Sequence, residues 1–332
     1  MTLNKSSSYV LLNILAGRNT ATMISKYITN IDIRSIQRSL ARLVDLGVIK
    51  RNGINNPSYD IVYSKLAGAI IPEKLIIDES RPESSYNFEF IDWLKAIPEN
   101  ELESILGFDK TILNNLGSND KMTTKDLEYL TIELSWKSSA LEGNTYTLLD
   151  TQLLLLEGIK AKDKTEFETQ MILNHKSAIS FIVENRNLFE QDIKFSTLEE
   201  LHRIISQNLG IDSGLRKKII RISASNYRPL SNYHQLKEHA ESVLGIISNI
   251  NNPVLRALIA LALVPYLQTF EDGNKRTGRM LANGILIHSI SRGFSLRRLT
   301  ARQLALAYLS FYEFNSLKAL SDLLVSELSR PL

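Results

Sequence analysis

The sequence predicts a mainly α-helical protein, in which a large all-helical domain with one short β-hairpin follows a smaller segment of three helices and a hairpin. Two observations support this fold class. From about residue 90 onward, nearly every segment carries apolar residues at helical spacing, with short polar turns in between. Before residue 66, three shorter helical patterns lead into two strand-like stretches around the turn NGINNP.

Composition is that of a soluble globular protein. The chain has 332 residues, of which 44% are apolar and 23% charged, and its net charge is +3. It contains no cysteine, which excludes a disulfide framework and a thiolate metal site. The apolar run near the N-terminus is short and is broken by Asn13, so we expect neither a signal peptide nor a membrane segment. These features predict a cytoplasmic protein that contacts no membrane.

Positive charge is concentrated at the N-terminal end. Residues 1–70 hold nine lysines and arginines against three aspartates, a net charge of +6, so the remainder of the chain is slightly acidic. A basic segment of this kind indicates a partner of its own, and nucleic acid is the most common partner of such segments.

Three helices are predicted within the basic segment. The first ends at Gly17, Thr20 caps the second, and the third ends at Gly47. The third helix has an apolar stripe that we expect to be buried. The stripe consists of Ile33, Ile36, Leu40, Leu43 and Leu46.

Another face of the third helix is basic, because arginines recur on it every four residues. With the strand-like pair that follows, the segment resembles a winged helix-turn-helix, whose third helix enters the DNA major groove. The resemblance implies duplex DNA as a partner, contacted by Arg34, Gln37, Arg38 and Arg42. Two alternatives stay open: winged helices also serve as protein-interaction or dimerisation modules, and the arginines can form a merely solvated face.

The chain divides into three parts on this basis. Residues 1–66 are predicted to form the winged helix-turn-helix, and residues 67–90 form a connector with two prolines and a serine-rich turn. Residues 91–332 are predicted to form one helical domain, in which only the stretch KKIIRISASNYRPL is strand-like.

The stretch LQTFEDGNKRTGRM, residues 267–280, has the features of an anion site. An apolar helix runs up to Phe270 and a new helix begins near Asn274. Free N–H groups and the positive end of the helix dipole meet there. Gly273 allows a ligand to approach the backbone, and Asp272 offers a carboxylate to a divalent cation. The surrounding cations are Lys275, Arg276 and Arg279.

This stretch resembles the signature of the Fic family, His-x-Phe-x-Asp/Glu-Gly-Asn-Gly-Arg-x-x-Arg. The matching positions are Phe270, Asp272, Gly273, Asn274, Arg276 and Arg279. Two positions differ, because Gln268 replaces the leading histidine and Lys275 replaces the second glycine.

Two more stretches resemble parts of the same family. SSALEGNT, residues 138–145, matches an inhibitory motif in which Ser138 and Glu142 are the defining residues, on a helix over about 130–145. SGLRKKIIRISASNYRP, residues 213–229, matches the segment that leads into the flap, a short hairpin that docks the target chain. The resemblance covers residues 90 to 330 and implies an all-helical Fic domain with a β-hairpin flap.

The resemblance implies a protein adenylyltransferase, which transfers AMP from ATP to a hydroxyl of a target protein that the sequence does not identify. The Mg²⁺ (or Mn²⁺) ligand would be Asp272, and Arg279 would hold the γ-phosphate. Glu142 would pair with Arg279 and exclude that phosphate. A homodimer and a bacterial origin also fit the resemblance. The nucleotide-binding residues would be Gly273, Asn274, Lys275, Arg276 and Arg279.

Gln268 occupies the position of the catalytic general base. In the family the histidine accepts the proton of the attacking hydroxyl, whereas a carboxamide cannot do so near neutral pH. Loss of a general base typically lowers the rate by about two to four powers of ten. Of the histidines elsewhere in the chain, His202 lies on an amphipathic helix and is predicted to be a packed or a surface residue instead of a replacement base.

Four functions therefore stay open. The first three are an autoinhibited Fic enzyme with weakened or altered transfer activity, a catalytically silent nucleotide sensor that acts through its winged helix, and an interaction protein whose nucleotide site is a relic. The fourth reading rests on Lys275, because an Asn-Lys-Arg turn resembles that of Doc-type proteins, which transfer the γ-phosphate.

Overall fold

The computed structural model describes residues 2–28, 30–66, 84–108, 122–222 and 225–329. Helices make up most of this part of the chain and the strands are short, which confirms the mainly α-helical fold class. The predicted connector, 67–90, is described only from residue 84. Among the described residues, no helix is both long enough and apolar enough to cross a membrane.

The helices follow one another in chain order, with the strands between them. The helices are α1 (Lys5–Leu15), α2 (Ala21–Tyr27), α3 (Ile33–Asp45), α4 (Tyr63–Leu66), α5 (Phe88–Ala96), α6 (Glu99–Leu106), α7 (Thr124–Ala140), α8 (Leu148–Glu157), α9 (Glu166–Glu184), α10 (Phe195–Ser206), α11 (Leu236–Asn249), α12 (Pro253–Leu267), α13 (Asn274–Ile290), α14 (Ala301–Phe314) and α15 (Lys318–Leu328). The strands are β1 (Ile49–Asn52), β2 (Ser58–Ile61), β3 (Ser84–Ser85) and β4 (Tyr227–Arg228).

The chain forms two compact units, and neither is continuous in sequence. The first unit consists of Met1–Ser85, Arg221–Arg228 and Leu299–Asp322. The second consists of Tyr86–Ile220, Pro229–Arg298 and Leu323–Leu332. The sequence predicts one domain over 91–332, whereas 221–228 and 299–322 belong to the first unit.

The N-terminal part of the first unit has the predicted order of three helices and a hairpin. Asn4, Thr20 and Asp32 each accept a backbone N–H at the start of a helix, as caps. Strands β1 and β2 pair antiparallel. The apolar stripe of α3 is buried at its centre, whereas Ile33 and Leu46 at its ends are 42% and 36% exposed.

Helix α14 supplies the remaining contacts of the first unit. The Gln303 side chain donates to the carbonyl oxygen of Tyr63 at 2.5 Å. A single Glu313 oxygen accepts from the Ser225 hydroxyl at 2.6 Å and from the Asn226 N–H at 2.9 Å. These polar contacts between distant segments give no periodic signal, so the sequence did not predict them.

The segment expected to form the flap hairpin differs from the expectation. Residues 217–222 form no regular strand, and residues 223–224 lie outside the described part. Beyond them, Tyr227–Arg228 pairs in parallel with Ser84–Ser85. Glu313 binds the chain at 225–226. The antiparallel hairpin among the described residues is β1–β2.

The core of the second unit is centred on α12, which packs against α13. Every side chain from Val254 to Leu267 is buried, as expected for a helix that is apolar all round. Asn252 caps this helix and Pro253 opens it. Helix α13 carries Gly284 where a Cβ atom would lie 2.3 Å from the ring of Phe189, so glycine is the residue that permits this packing.

Two fully buried histidines lie among the helices of the second unit. His175 on α9 and His202 on α10 are both 0% exposed. Burial lowers the pKa of His175 to about 3 and that of His202 to about 4. Both side chains are therefore neutral at physiological pH. Of the packed and surface positions that the sequence left open for His202, the structure shows the packed one.

Gly284→Ala is expected to lower the free energy of unfolding by about 1–3 kcal/mol, because the new methyl group displaces the Phe189 ring. The matched control is Gly245→Ala on α11, where a Cβ atom meets nothing within 4 Å. The control should be neutral or stabilised by up to about 1 kcal/mol through helix propensity. Denaturant unfolding followed by circular dichroism measures both, and equal effects of the two substitutions would contradict the packing.

Stability is expected to fall as the pH drops below about 6.5, because the unfolded chain then binds protons at both histidines and the folded chain does not. Each histidine contributes up to about 1.4 kcal/mol per pH unit, or up to about 4 kcal/mol for the pair between pH 6.5 and 5. Unfolding at several pH values measures this slope. His175→Gln should roughly halve the histidine contribution, and a slope that the substitution leaves unchanged would contradict the assignment.

Candidate functional site

The site is built on the turn that joins α12 to α13. Helix α12 ends at Gln268, whose backbone is left-handed with φ 53°. Gly273 has φ 79° and directly precedes α13, whose first turn has no side-chain cap. A side chain at Gly273 would be strained, so glycine is required there. The turn thus delivers an uncapped helix N-terminus, the feature predicted for anion binding.

The Asn274 side chain stabilises this turn through hydrogen bonds to other residues of the turn. Its amide oxygen accepts the N–H of Phe270 at 3.0 Å. Its amide nitrogen donates to the carbonyl of Phe270 at 2.8 Å and to the Gln268 side chain at 3.1 Å. Asn274 is therefore buried and turned away from the ligand side. It shapes the turn through its side chain, and only its backbone N–H stays available to an anion.

The buried His202 side chain also contacts this turn. Its ring stacks on Phe270 with a centroid distance of 3.8 Å and an angle of 8° between the planes. Since the Asp272 carbonyl only accepts hydrogen bonds, His202 Nε2 carries the proton and donates to it at 3.0 Å. The other ring nitrogen is buried and has no partner among the described residues. His202 is fully buried, and the contacts shown for its ring are with the turn itself.

Two arginines of α13 are buried beside the turn. Arg276 and Arg279 are 3% and 0% exposed, respectively, whereas Lys275 is half-buried. One terminal nitrogen of Arg276 lies 3.3 Å from Asp272 Oδ2, and the other has no partner in the part of the chain that the structure describes. Burial lowers the pKa of Arg276, an effect that Asp272 and Glu142 offset in part. An unpartnered buried guanidinium nitrogen indicates an anion site.

Arg279 is held by the last turn of α7 and by the turn that follows it. Its Nε donates to the Ser138 hydroxyl at 2.9 Å, and its Nη2 contacts the Ser138 carbonyl at 3.2 Å and Glu142 at 2.6 Å. The sequence analysis expected a helix over about 130–145, but α7 ends at Ala140. Glu142 lies in the turn after it, because the Glu142 N–H bonds back to the Ser139 carbonyl.

Glu142 is ionised in this position. Burial opposes its ionisation, but the charges of Arg279, Lys275 and Arg276 outweigh that effect and keep the pKa of the carboxyl below its ordinary value. The Glu142 side chain is 24% exposed and that of Arg279 is 1% exposed. The carboxylate therefore closes the solvent side of the guanidinium, where an anionic ligand would otherwise bind.

Gln268 points back into the protein. Its Nε2 donates to the Pro265 carbonyl at 2.6 Å, and its Oε1 accepts from Asn274. The side chain is thus tied to the protein at both polar atoms. The structure places the residue at the predicted position, the entry to the turn, but it does not aim the carboxamide at a ligand.

Arg216 is a further residue of the site, which the sequence analysis quoted within a segment but did not single out. It is 3% exposed and donates to the carbonyl oxygens of Gln268 at 2.6 Å, Lys218 at 2.8 Å and Leu230. It joins the turn to both ends of the expected flap. Beside it lies a cavity of about 250 Å³ lined by residues 212–218 and Glu271.

Asp272 is the residue that fits a divalent cation. Its side chain is 69% exposed, and one oxygen accepts the Gly273 N–H at 2.6 Å. The described residues contain no group of three or more acidic or histidine side chains able to hold a metal by themselves. A single carboxylate fits Mg²⁺, which binds in nucleotide sites through one or two carboxylates, water and phosphate oxygens.

The residues predicted to contact DNA lie together on α3 of the first unit. All four are exposed, and Arg38 also donates to the Ser35 hydroxyl at 3.0 Å. A cavity of about 300 Å³ adjoins this face and contains no acidic side chain. Its lining residues are Asn4, Ser6, Ser7, Ser35, Arg38, Ser39 and Arg42.

The curated proteins that this chain resembles carry the name protein adenylyltransferase. The protein adenylyltransferase fic-1 of Caenorhabditis elegans is 29% identical over 161 residues, which is 45% of this chain and 30% of the relative. The protein adenylyltransferase Fic of Nematostella vectensis is 24% identical over 158 residues, which is 46% of this chain and 37% of the relative. The matches therefore span only about a third of these relatives' own length.

Solved structures give the same fold. A Fic domain containing signalling protein from Bacteroides thetaiotaomicron has a TM-score of 0.54 at 20% identity, over 67% of this chain and 93% of that one. A Fic family protein from Desulfovibrio desulfuricans has a TM-score of 0.53 at 17% identity, over 75% and 74%. Residues 192–286, which include α10, α12 and most of α13, match the model of the Fic/DOC family. The similarity to the Fic/DOC family is thus found over residues 192–286 of this chain.

Proposed function

We propose that the Fic domain binds a nucleotide at the 268–279 turn, that Glu142 restrains it, and that it resembles protein adenylyltransferases with transfer weakened by Gln268. The contact between Arg279 and Glu142 carries this proposal. The guanidinium of Arg279 is buried in a cationic turn. The Glu142 carboxylate, which comes from a distant segment, occupies the side of the guanidinium where a ligand would bind. Carboxylate and phosphate are alternative partners of arginine with the same bidentate geometry.

The phosphates of a nucleotide fit the turn for three reasons. The N-terminus of α13 offers backbone N–H groups without a side-chain cap. Arg276 presents a buried nitrogen without a partner in the described ranges. On α13 and its approach, three cations (Lys275, Arg276 and Arg279) outnumber two carboxylates (Glu271 and Asp272), so the turn favours an anion.

Divalent cation binding is part of the proposal. Asp272 would hold Mg²⁺ or Mn²⁺ from the exposed side of the turn, and the cation would supply neutralisation of the phosphate charge. The hydrogen bond from Gly273 to Asp272 keeps one carboxylate oxygen in a fixed position. The other oxygen faces Arg276 at 3.3 Å, a weak contact that a cation and its phosphates would replace.

Gln268 determines what chemistry the bound nucleotide undergoes. The relatives named above carry adenylyltransferase in their names, and we propose AMP transfer to a hydroxyl of a target protein for this chain. A glutamine cannot remove the proton of that hydroxyl near pH 7. Histidine tolerates the left-handed backbone of position 268 better than most residues, so the turn accepts the usual base.

A catalytically silent nucleotide sensor is the second candidate, and one observation favours it. The polar atoms of the Gln268 side chain bond to Pro265 and Asn274, so the side chain serves the turn and not a substrate. In that case nucleotide binding regulates a partner. We propose duplex DNA as this partner, because Arg34, Gln37, Arg38 and Arg42 are all exposed on α3.

Transfer activity is expected to return when both restraints are lifted. Glu142→Gly should label itself or a target weakly from ATP with Mg²⁺ or Mn²⁺, and Glu142→Gly with Gln268→His should label about a hundredfold to ten-thousandfold faster. Radiolabelled nucleotides with α- and γ-labels measure this and separate AMP transfer from phosphate transfer. The matched control is Glu142→Gly with Gln268→Ala, which should stay at the level of the single variant.

Two results would contradict the proposal at different points. If no nucleotide of the four labels the double variant while calorimetry detects its binding, the transfer activity is wrong and the silent sensor stands. If calorimetry detects no nucleotide binding in Glu142→Gly, the nucleotide site itself is wrong.

DNA binding is expected to depend on the α3 arginines. Arg38→Ala and Arg42→Ala should each weaken binding of a labelled duplex in a mobility-shift experiment at low salt. Each should also reduce the slope of log affinity against log salt by about 1, because each removes one phosphate contact. Lys162→Ala, an exposed cation on the second unit, is the control and should change neither. Absence of any shift by the wild-type chain at low salt would contradict DNA binding.

A further inference from the structure

A buried histidine lies behind the contact between Arg279 and Glu142. His175 on α9 is 0% exposed, as are Ser138 and Arg279. Its Nε2 lies 2.8 Å from the Ser138 hydroxyl oxygen, and its Nδ1 lies 2.8 Å from the Met171 carbonyl oxygen. The chain of contacts therefore runs from the backbone of α9 through the imidazole and Ser138 to the guanidinium.

The acceptors in this chain fix the position of each proton. A carbonyl oxygen only accepts, so Met171 requires the proton on His175 Nδ1. The Ser139 hydroxyl lies 3.2 Å from the same nitrogen and can share that proton. Nε2 of the neutral ring is then an acceptor, and the Ser138 hydroxyl is the group that donates to it.

These proton positions determine how Ser138 interacts with Arg279. Ser138 has one hydroxyl proton, and once it points at His175 the lone pairs of the oxygen face elsewhere. Arg279 Nε, which only donates, lies 2.9 Å from that oxygen. Without an acceptor at position 175, the hydroxyl proton would be free to rotate toward the guanidinium, where it would meet a donor and a positive charge.

We propose that His175 is a positioning residue for Arg279: by accepting the Ser138 proton it makes Ser138 an acceptor, which holds the guanidinium in the orientation that a terminal phosphate requires. This inference rests on the proposed function, because it assigns the partner of Arg279 to a nucleotide. Glu142 contacts Arg279 through Nη2. When Glu142 leaves, Nε stays on Ser138 and Nη2 becomes available to the phosphate.

The orientation of the guanidinium matters more for ATP than for AMP. Arg279 would reach the terminal phosphate, which AMP lacks, whereas the turn before α13 would hold the phosphate that both nucleotides share. A hydrogen bond to a charged group is stronger than one between neutral groups. Loss of the fixed orientation should therefore weaken ATP binding selectively, and a general loss of structure should weaken both.

The test uses Glu142→Gly as the reference and adds a substitution at position 175. His175→Leu removes the acceptor, and His175→Gln is the matched control because its amide oxygen can accept the Ser138 proton. By calorimetry with Mg²⁺, His175→Leu should raise the Kd for ATP about tenfold and leave the Kd for AMP unchanged. His175→Gln should keep both values near the reference. Thermal unfolding of each variant identifies any that fail to fold.

A second measurement tests the proton positions on the wild-type chain. With ¹⁵N-labelled histidine, NMR should find His175 as the Nδ1–H tautomer near pH 7, with His234, which is exposed, as the unrestrained control. The Nε2–H tautomer would overturn the proposal, and so would an equal loss of ATP and AMP affinity in His175→Leu. If Glu142→Gly binds neither nucleotide, the proposed function fails, and the role of His175 toward a phosphate fails with it whichever tautomer is found.

Discussion

One buried positive charge organises the candidate site. Arg279 is 0% exposed, and a charge withdrawn from water is costly unless partners replace its hydration. Ser138 accepts from one edge of the guanidinium, and Glu142 accepts from the terminal nitrogen. Because Ser138 lies in the last turn of α7 and Glu142 in the turn after it, this part of the chain and α13 are joined through the arginine. Removal of Glu142 alone leaves the charge half-partnered and ready for another anion.

The turn before α13 is arranged to keep that charge next to a free helix N-terminus. Asn274 ties the turn to itself, His202 supports it through Phe270 and Asp272, and Arg216 binds the carbonyl of Gln268. None of these side chains reaches the ligand side. The geometry of an anion site is thus preserved by buried contacts, whether or not position 268 can remove a proton.

Sequence reasoning predicted the parts of this site that lie in one short stretch. The apolar run of α12, the glycine turn and the cations of α13 are local features, and helix α13 begins at Asn274 as expected. The pairing of Glu142 with Arg279 was expected only through the family resemblance. Contacts between distant segments, such as His175 with Ser138 or Glu313 with Asn226, leave no periodic pattern and were not predicted.

We propose that Glu142 substitutes for the terminal phosphate of a nucleotide, and a comparison of affinities tests this most directly. Calorimetry would measure ATP and AMP binding to the wild-type chain and to Glu142→Gly with Mg²⁺ present. The substitution should tighten ATP binding by about tenfold or more and change AMP binding little, since only ATP would reach Arg279. An unchanged ratio of the two affinities would contradict it.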